Sequence, residues 1–385
     1  MNKKSIILLS TIVTSILLAI VLIFLNLKFS TTTDKNSDRK ISKTGSVYQE
    51  VYKAEVLGVE QRPSLRLMAV GDIMLGRTVG KRLNGDYTIP FSESKLFLQH
   101  ADILFGNLES PISDRGTKVY GKGITLRADP KAITSIKDAG FDIVSLANNH
   151  ILDYHKPALT QTIEILDANK IHYCGAGENI NQARKPVIIE RNGLKVAFLA
   201  YTDMSEYFFS SEKYNFLAKN DREGVAPRKL DYIIEDINLV RDKADLVVIS
   251  LHWGVEESFD VTDKMIEFSH MLIDSGADAI LGHHPHQLQG IEIYKNKPIA
   301  YSMGNFIFDQ NDDENKESMI LDLQYDDTDL ISVEAIPLRI VDKMKVVPAP
   351  PEKLEIIQKR LIDLSDKLGT KGYIKNKVVK FELPQ

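Results

Sequence analysis

Six short apolar segments along this chain each end in polar residues. They cover residues 65–72, 101–109, 142–150, 246–254, 277–286 and 298–305. Each is typical of a buried strand followed directly by Asp, Glu, Asn or His. Between them, apolar residues recur at helical spacing over 130–139, 157–168, 227–243 and 263–275. This alternation of strands and helices predicts an α/β fold.

The last part of the chain has a different pattern. Residues 292–302 are typical of a β-hairpin and residues 318–325 and 330–341 of further strands, which predicts antiparallel pairing added to the sheet. After a proline-rich break, residues 352–367 place Leu354, Ile357, Leu361 and Leu364 at helical spacing. We therefore predict a main domain over 63–345 and a helical extension over 346–385 that packs on it.

The polar residues that end the six apolar segments are predicted to form one site. Open α/β sheets bind ligands beyond the carboxyl ends of their strands, where the loops converge. The candidates are Asp72, Glu109, Asn149, His150, His252, His283, His284 and His286. Taken singly, each has an ordinary structural explanation as a helix cap, a turn residue or a core histidine. Four of the nine histidines fall in two of these segment ends, which favours a shared site.

The types of side chain in this set indicate a metal. Carboxylate, amide and imidazole donors suit one or two divalent ions of Mn, Fe, Zn or Mg. The single cysteine, Cys174, excludes an intramolecular disulfide framework and cysteine-based zinc sites. A formal net charge of -5, from 48 basic and 53 acidic residues, argues against nucleic acid as a partner.

The N-terminal segment has the character of a membrane anchor. Residues 6–27 carry no charge, are long enough to cross a bilayer and follow Lys3 and Lys4. No small-residue cleavage site of the kind found in signal peptides precedes the polar region. We therefore predict an uncleaved single-pass anchor over 1–29 and a flexible polar stalk over 30–62. Basic residues on both sides of the anchor leave its orientation open on charge alone.

The order of the polar motifs resembles one protein family. The motifs are Gly71-Asp72, Gly106-Asn107-Leu108-Glu109, Asn148-Asn149-His150 with Asp153, His252-Trp253-Gly254, Gly282-His283-His284-Pro285-His286 and Gly304-Asn305-Phe306. In this order over residues 65–310 they are similar to the CapA family of bacterial capsule synthesis proteins. The resemblance implies an accessory role in synthesis or export of poly-γ-glutamate, an anionic polymer. It also implies a large domain outside the bacterial cell membrane.

The same resemblance, together with the lack of a phosphate-binding P-loop motif, predicts partner subunits. Residues 76–82 depart from a phosphate-binding P-loop in their spacing and end in Arg82 rather than Ser or Thr. If glutamate is polymerised, ATP is consumed elsewhere. We therefore expect a membrane capsule synthase or ligase, together with export subunits, as partners.

The CapA family in turn resembles the calcineurin-like metallophosphoesterases. That resemblance implies a four-layer α/β/β/α sandwich with two metal ions at the strand ends. It implies the metal ligands Asp72, Glu109, Asn149, His252, His284 and His286, with His150 and Asp153 as catalytic residues. Which two of His283, His284 and His286 bind metal stays open. Asp153 is expected to orient His150, or alternatively to cap a helix that starts near Lys156.

Two departures from the metallophosphoesterase pattern bear on catalysis. Met74 stands where those enzymes have a histidine ligand, and Glu109 stands where they have a bridging aspartate. One alternative is therefore a non-catalytic subunit that binds the polymer, which Met74 favours. Another is an extracytoplasmic metallophosphatase unrelated to capsule.

Two further groups of residues have a structural and a functional interpretation. The basic residues Lys118, Lys122, Arg127 and Lys131 could contact a polyanion, but the negative net charge favours a solvated face. The aromatic residues Trp253, Tyr207, Phe208 and Phe209 could line a cleft, but their tendency to be buried favours core packing.

Overall fold

A computed structural model describes residues 64–204 and 216–384. The predicted anchor and stalk, and the aromatic residues Tyr207, Phe208 and Phe209, lie outside this part of the chain. Within it, no helix has both the length and the apolar character needed to cross a membrane.

Strands and helices alternate through the first two thirds of this region, and strands dominate the rest. The strands are β1 (Leu65–Ile73), β2 (Ile103–Leu108), β3 (Ile143–Ser145), β4 (His172–Cys174), β5 (Ala176–Gly177), β6 (Val187–Arg191), β7 (Leu194–Thr202), β8 (Gly224–Val225), β9 (Leu246–His252), β10 (Ala279–His283), β11 (Ile291–Tyr294), β12 (Lys297–Ala300), β13 (Asn305–Ile307), β14 (Glu317–Asp326), β15 (Asp329–Val341), β16 (Lys345–Pro348), β17 (Gly372–Lys375) and β18 (Val378–Phe381). The helices are α1 (Arg77–Leu83), α2 (Lys95–Leu98), α3 (Ile133–Ala139), α4 (His155–Ala168), α5 (Ile180–Ala183), α6 (Leu230–Arg241), α7 (Asp263–Asp274) and α8 (Pro351–Asp366).

The strands form two large mixed sheets and one small one. The larger sheet has the order β17-β18-β15-β14-β1-β2-β3-β4, with β13 also paired to β1 and β16 to β15. In it, β1 to β4 are parallel and the C-terminal strands are antiparallel. The second sheet has the order β11-β12-β10-β9-β7-β6, with a parallel centre and antiparallel edges. The prediction of a mixed α/β fold is confirmed.

An apolar core lies between the two large sheets. Side chains alternate across a strand, and Leu67 and Ala69 of β1 belong to the same buried cluster as Val248 of β9. The rings of Phe105 on β2 and Phe198 on β7 stack with their centroids 5.7 Å apart. The two sheets therefore face each other and share this core.

Helices cover the opposite face of each large sheet. On the larger sheet, Val70 packs in one cluster with Ile136 of α3 and Leu159 of α4. On the second sheet, Ile249 packs in another cluster with helices α6 and α7. The four helices predicted from apolar spacing are confirmed, with ends that differ by up to three residues from those predicted.

The C-terminal segments add antiparallel strands and one helix. The predicted hairpin is β11 and β12, paired from Ile291 with Ala300 to Tyr294 with Lys297, and the two later predicted strands are β14 and β15. Helix α8 buries Ile357 and Leu361 in the cluster between the sheets. The sequence patterns did not indicate β16, β17 and β18. The division into domains over 63–345 and 346–385 stays a prediction.

The parallel strands of both sheets end at one place in the molecule. Asp72 on β1 is in register with Asn107 on β2, and His252 on β9 is in register with His283 on β10. The Asn107 side chain on the larger sheet lies 3.2 Å from Nδ1 of His252 on the second sheet. The ends of the two sheets therefore meet, and the polar residues that end their strands are brought together.

Candidate metal centre

Asp72 lies at the centre of the site, near the end of β1. Its carboxylate is fully buried; Oδ1 accepts a hydrogen bond from Nδ2 of Asn107 at 2.8 Å and Oδ2 one from the backbone N–H of His284 at 3.2 Å. Nδ1 of His286 lies 3.5 Å from Oδ2. Burial raises the pKa of Asp72, but the nearby His283 and His286 outweigh it and hold that pKa well below its usual value. Asp72 is therefore ionised.

Glu109 is a buried acidic residue of the site that has no hydrogen-bond partner. Its side chain is fully buried, and neither carboxylate oxygen has a hydrogen-bond partner. Oε1 lies 3.7 Å from Nε2 of His252 and 4.0 Å from Nε2 of His286. Burial and the negative charge of Asp72 raise its pKa well above the usual value. A buried carboxylate without partners is costly, and a bound cation would remove that cost.

His252 connects the two sheets. Its Nε2 lies 3.0 Å from Oδ1 of Asn149 and 3.1 Å from Nδ1 of His284. Burial and the neighbouring His284 lower the pKa of His252 well below its usual value, and burial with His286 lowers that of His284 to about 3. Both imidazoles are therefore neutral near pH 7, the form in which histidine binds a metal.

The potential metal ligands fall into two groups that share Glu109. One group is Glu109, His252 and His284, and the other is Asp72, Glu109 and His286. Within each group the ligand atoms lie within 4.8 Å of one another, and all five residues are buried. Glu109 would be shared if each group held a cation, and Asn149 lies beside the first group through His252. This donor set, with its unpartnered Glu109 oxygens, fits a divalent metal.

The three histidines of the Gly282–His286 motif differ in their place in the site. His284 and His286 each belong to one of the two groups, and both have positive φ angles, 97° and 60°. Such a backbone is strained for a residue other than glycine and is common at functional sites. His283 belongs to neither group; its Nδ1 lies 3.4 Å from Oδ1 of Asp72, and neither ring nitrogen has a hydrogen-bond partner.

His150 and Asp153 form a buried pair beside this centre. Nδ1 of His150 lies 2.7 Å from Oδ2 of Asp153, which also accepts the backbone N–H of Leu126 at 2.6 Å. Burial and the positive charge of Lys122 lower the pKa of His150 to about 4. The alternative that Asp153 caps a helix is wrong, because α4 begins at His155 and no side chain caps its N-terminus.

The structure corrects the interpretation of one basic residue. The side chain of Lys122 is 10% exposed, and its amine contacts the Asp153 carboxylate and the backbone carbonyl of Asn149. It is therefore no part of a solvated face, although Lys118 and Lys131 are exposed as expected. The predicted burial of Trp253 is confirmed, since its ring is fully buried and stacks on Tyr301.

Three asparagines hold the predicted ligands in place. Asn107 lies between Asp72 and His252, and Asn148 donates to Oδ1 of Asn107 at 3.2 Å. Oδ1 of Asn305 lies 2.9 Å from Nδ1 of His286. Asn107 and Asn148 stand in the same motifs as the predicted ligands Glu109 and Asn149, and Asn305 stands in the Gly304-Asn305-Phe306 motif. Their places in these motifs were the signal that could have identified them.

The sulfur of Met74 is hydrogen-bonded within its own loop. Met74 is fully buried, and its sulfur accepts the backbone N–H of Gly76 at 3.2 Å. Met74 therefore does not replace the histidine ligand that metallophosphoesterases have at this position.

Comparison with known proteins places the chain in a family. The model of the bacterial capsule synthesis protein PGA_cap family matches residues 66–310. The capsule biosynthesis protein CapA of Bacillus anthracis is 33% identical over 290 residues, which are 73% of this chain and 68% of that protein. The PGA biosynthesis protein CapA of Bacillus subtilis is 32% identical over 298 residues, 76% of this chain and 75% of that protein. A Mycobacterium tuberculosis protein named probable polyglutamine synthesis accessory protein is 28% identical over 343 residues, 82% of this chain and 88% of that protein.

These matches confirm the family resemblance that the motifs predicted. The family model covers more than half of the chain and includes every residue of the two ligand groups. The chain therefore belongs to the PGA_cap family of bacterial capsule synthesis proteins.

Proposed function

We propose that this protein is an accessory protein for synthesis or export of a poly-γ-glutamate capsule, and that it acts on an anionic polymer through a divalent metal centre. The names of its relatives in Bacillus and Mycobacterium support a role in capsule synthesis, and the Mycobacterium relative is named as an accessory protein. The observation that carries the metal centre is Glu109, which is buried without a partner and shared by two groups of potential ligands. One or two ions of Mn, Fe, Zn or Mg suit these donors.

The architecture supports a relationship to the metallophosphoesterases. Helices cover the outer faces of two sheets that share a core, which is the order of layers in a four-layer α/β/β/α sandwich. The proposed ligands are Asp72, Glu109, Asn149, His252, His284 and His286. Their positions at the strand ends match the place where that superfamily binds metal.

The proposed reaction is hydrolysis of a phosphoester or a related bond. When bound, a divalent ion acts as a Lewis acid on a substrate oxygen. His150 lies beside the centre, and the Asp153 carboxylate accepts a hydrogen bond from Nδ1 of its ring. Nε2 of His150 is then the ring atom that accepts or returns a proton during the reaction. Asp153 fixes the orientation of the ring and so positions that atom.

The proposed location is the outer side of the bacterial cell membrane. The uncharged segment 6–27 supports a single-pass anchor, and the polar segment after it supports a stalk. A membrane synthase or ligase and export subunits are the proposed partners, because the chain has no P-loop with which to use ATP.

A non-catalytic, polymer-binding subunit is the second candidate function. The position of Met74 favours it, because one imidazole of the metallophosphoesterase pattern is absent there. In this case the metal centre would bind carboxylates of the polymer without breaking a bond.

One experiment separates these functions. The full-length chain, loaded with Mn²⁺, is incubated with poly-γ-glutamate and separately with p-nitrophenyl phosphate, and products and polymer binding are measured. Turnover that is lost in His150→Ala supports the hydrolase, with His270→Ala as the control because His270 pairs with Glu292 in another part of the fold. Polymer binding without turnover supports the non-catalytic subunit. Turnover of the phosphoester without polymer binding would contradict the capsule role.

A further inference from the structure

Lys122 is mostly buried, although the residues on either side of it are exposed. It lies in the segment after β2, between the exposed residues Gly121 and Gly123, and Tyr120 and Lys118 in the same segment are also exposed. Its own side chain is 10% exposed. Burying an ammonium group is costly unless it is paired, so its contacts must hold the loop in this position.

The amine of Lys122 contacts the turn that follows β3, and it also lies 5.3 Å from the centroid of the Phe216 ring. Its amine donates to the Asp153 carboxylate and to the backbone carbonyl of Asn149, and it lies 3.2 Å from Nδ1 of His150. Lysine has only donors, so the carbonyl and the carboxylate are its acceptors. Nδ1 of His150 lies 2.7 Å from the Asp153 carboxylate, and because a carboxylate only accepts hydrogen bonds, Nδ1 is the donor.

This turn also presents a proposed metal ligand. Oδ1 of Asn149 lies 3.0 Å from Nε2 of His252, within the first ligand group. Lys122 thus binds the main chain of a residue whose side chain is directed at the centre. The same amine binds the carboxylate that orients His150.

We propose that Lys122 is a positioning residue for the metal centre, which holds the Asn149–His150 turn so that the Asn149 amide oxygen faces the metal. The inference rests on the proposed function, because it requires that the centre binds a divalent ion. Residues that orient metal ligands from outside the coordination sphere typically change metal affinity by about 10–100-fold when they are removed.

The test measures the affinity of the full-length chain for Mn²⁺, from the EPR signal of free Mn²⁺. Lys122→Met is expected to weaken binding by about 10–100-fold. Lys118→Met, in the exposed part of the same segment, is the matched control and is expected to bind as the wild type does. Circular dichroism establishes that each variant is folded. Unchanged affinity in Lys122→Met would overturn the inference.

A double-mutant cycle tests whether Lys122 acts through Asn149. If it does, Lys122→Met causes little further loss of Mn²⁺ affinity in an Asn149→Ala background. Independent losses that multiply in the double variant would contradict action through Asn149.

Restoring the amine chemically tests its role without relying on one substitution. Lys122→Cys treated with bromoethylamine regains an ammonium group at nearly the length of lysine, through a new S–C bond formed with loss of bromide and of the thiol proton. The native Cys174 does not compete, because it is buried and burial raises the pKa of its thiol to about 12. We expect the Cys variant to bind Mn²⁺ weakly and its alkylated form to regain most of the wild-type affinity. Complete alkylation without recovery would overturn the inference.

The two proposals fail in different ways. Absence of Mn²⁺ binding in the wild type would contradict the metal centre itself. Normal binding in the wild type and in every Lys122 variant would contradict only the role of Lys122.

Discussion

Several residues of the site lower the stability of the folded, metal-free protein. The unpartnered carboxylate of Glu109 and the positive φ angles of His284 and His286 each destabilise the metal-free chain. Such features persist where function requires them. At the scale of residues, the site therefore exchanges stability for the capacity to bind a cation.

Glu109→Gln tests this exchange. The substitution keeps the shape of the side chain but removes the charge. Loss of a residue that only orients a ligand typically lowers metal affinity by about 10–100-fold, so we expect loss of this proposed ligand to lower Mn²⁺ affinity at least about tenfold. In the presence of a chelator, we expect the variant to unfold at the same or a higher temperature than the wild type. Calorimetry and Mn²⁺ titration measure both quantities, with Glu164→Gln as the exposed control. A variant that keeps wild-type Mn²⁺ affinity would exclude Glu109 as a shared ligand.

Asp322 predicts a dependence of stability on pH away from the metal centre. It is fully buried on β14 beside Arg66, and burial raises its pKa to about 6 from 3.8, although Arg66 opposes this. The folded state therefore favours the protonated acid. Its contribution to stability is fully present below about pH 4 and is lost as the pH rises through about 6.

The comparison with Asp322→Asn isolates this effect. We expect the unfolding free energy of the wild type to fall relative to the variant between pH 4 and pH 6, by at most about 3 kcal/mol. Denaturant unfolding at several pH values measures the difference, and Asp326→Asn at the exposed end of β14 is the control. A difference that does not change with pH would contradict the assignment.

The site residues that the sequence predicted can be identified from local patterns, whereas the missed ones depend on contacts between distant parts of the chain. Asp72, Glu109 and His252 could be identified because each ends an apolar segment, a local pattern in the sequence. Lys122 could not, because its burial depends on how a loop folds back onto the turn at Asn149. Composition and charge carry no signal for such a contact.

At the scale of elements, close approach of two strands positions Asp72. Asp72 donates its backbone N–H to the carbonyl oxygen of Gly304 at 2.9 Å. A Cβ atom at Gly71 would lie 1.9 Å from the same oxygen, so only glycine fits beside β13. The glycine that precedes Asp72 is thus required by the contact between β1 and the turn before β13.

Gly71→Ala tests this contact. The added methyl group must displace the backbone at Gly304, and we expect a loss of stability of about 1–3 kcal/mol or more. Gly123→Ala is the control, because no atom lies within 4 Å of its Cβ position, and its effect should stay within about 0.5 kcal/mol. Thermal unfolding compares the two variants. Equal stability would show that the strands separate without cost.

Helix α8 offers a second test at this scale. Leu361 is fully buried in the cluster between the sheets, whereas Ile356 on the same helix is 45% exposed. We expect Leu361→Ala to destabilise the chain by about 2–5 kcal/mol and Ile356→Ala by much less. Denaturant unfolding measures both. Similar small effects would mean that α8 contributes little to the core.

The elements could be predicted where the apolar pattern is long and regular. Helices α4, α6, α7 and α8 have that pattern, and so do β14 and β15. The short strands β16, β17 and β18 lie in the C-terminal part of the larger sheet, and their pairing depends on distant partners rather than on their own residues.

At the scale of the whole molecule, the site exists because two sheets end at the same place. The six apolar segments predicted a convergence of strand ends, and the structure distributes these segments over both sheets. Alternation of side chains tells which face of a strand is buried but not which strands pair. The sequence pattern therefore could not assign the six segments to one sheet or the other. Asn107 and His252 join the two halves of the site across the sheets.

Metal binding at such a junction should stabilise the whole fold. A ligand that binds only the folded state at about 100 times its Kd adds about 2.7 kcal/mol of stability. We therefore expect Mn²⁺ to raise the unfolding temperature of the wild type and to leave that of a His252→Ala, Asp72→Ala double variant nearly unchanged. Differential scanning calorimetry with and without a chelator measures this. An equal rise in both proteins would place the bound metal elsewhere.

The most direct test of the metal centre is elemental analysis of the full-length chain, purified without affinity-tag metal and equilibrated with Mn²⁺, Fe²⁺, Zn²⁺ or Mg²⁺. The proposed centre predicts one or two divalent ions per wild-type chain and their loss from the His252→Ala, Asp72→Ala double variant. Absence of bound metal in the wild type under these conditions, or unchanged metal content in the variant, would contradict it.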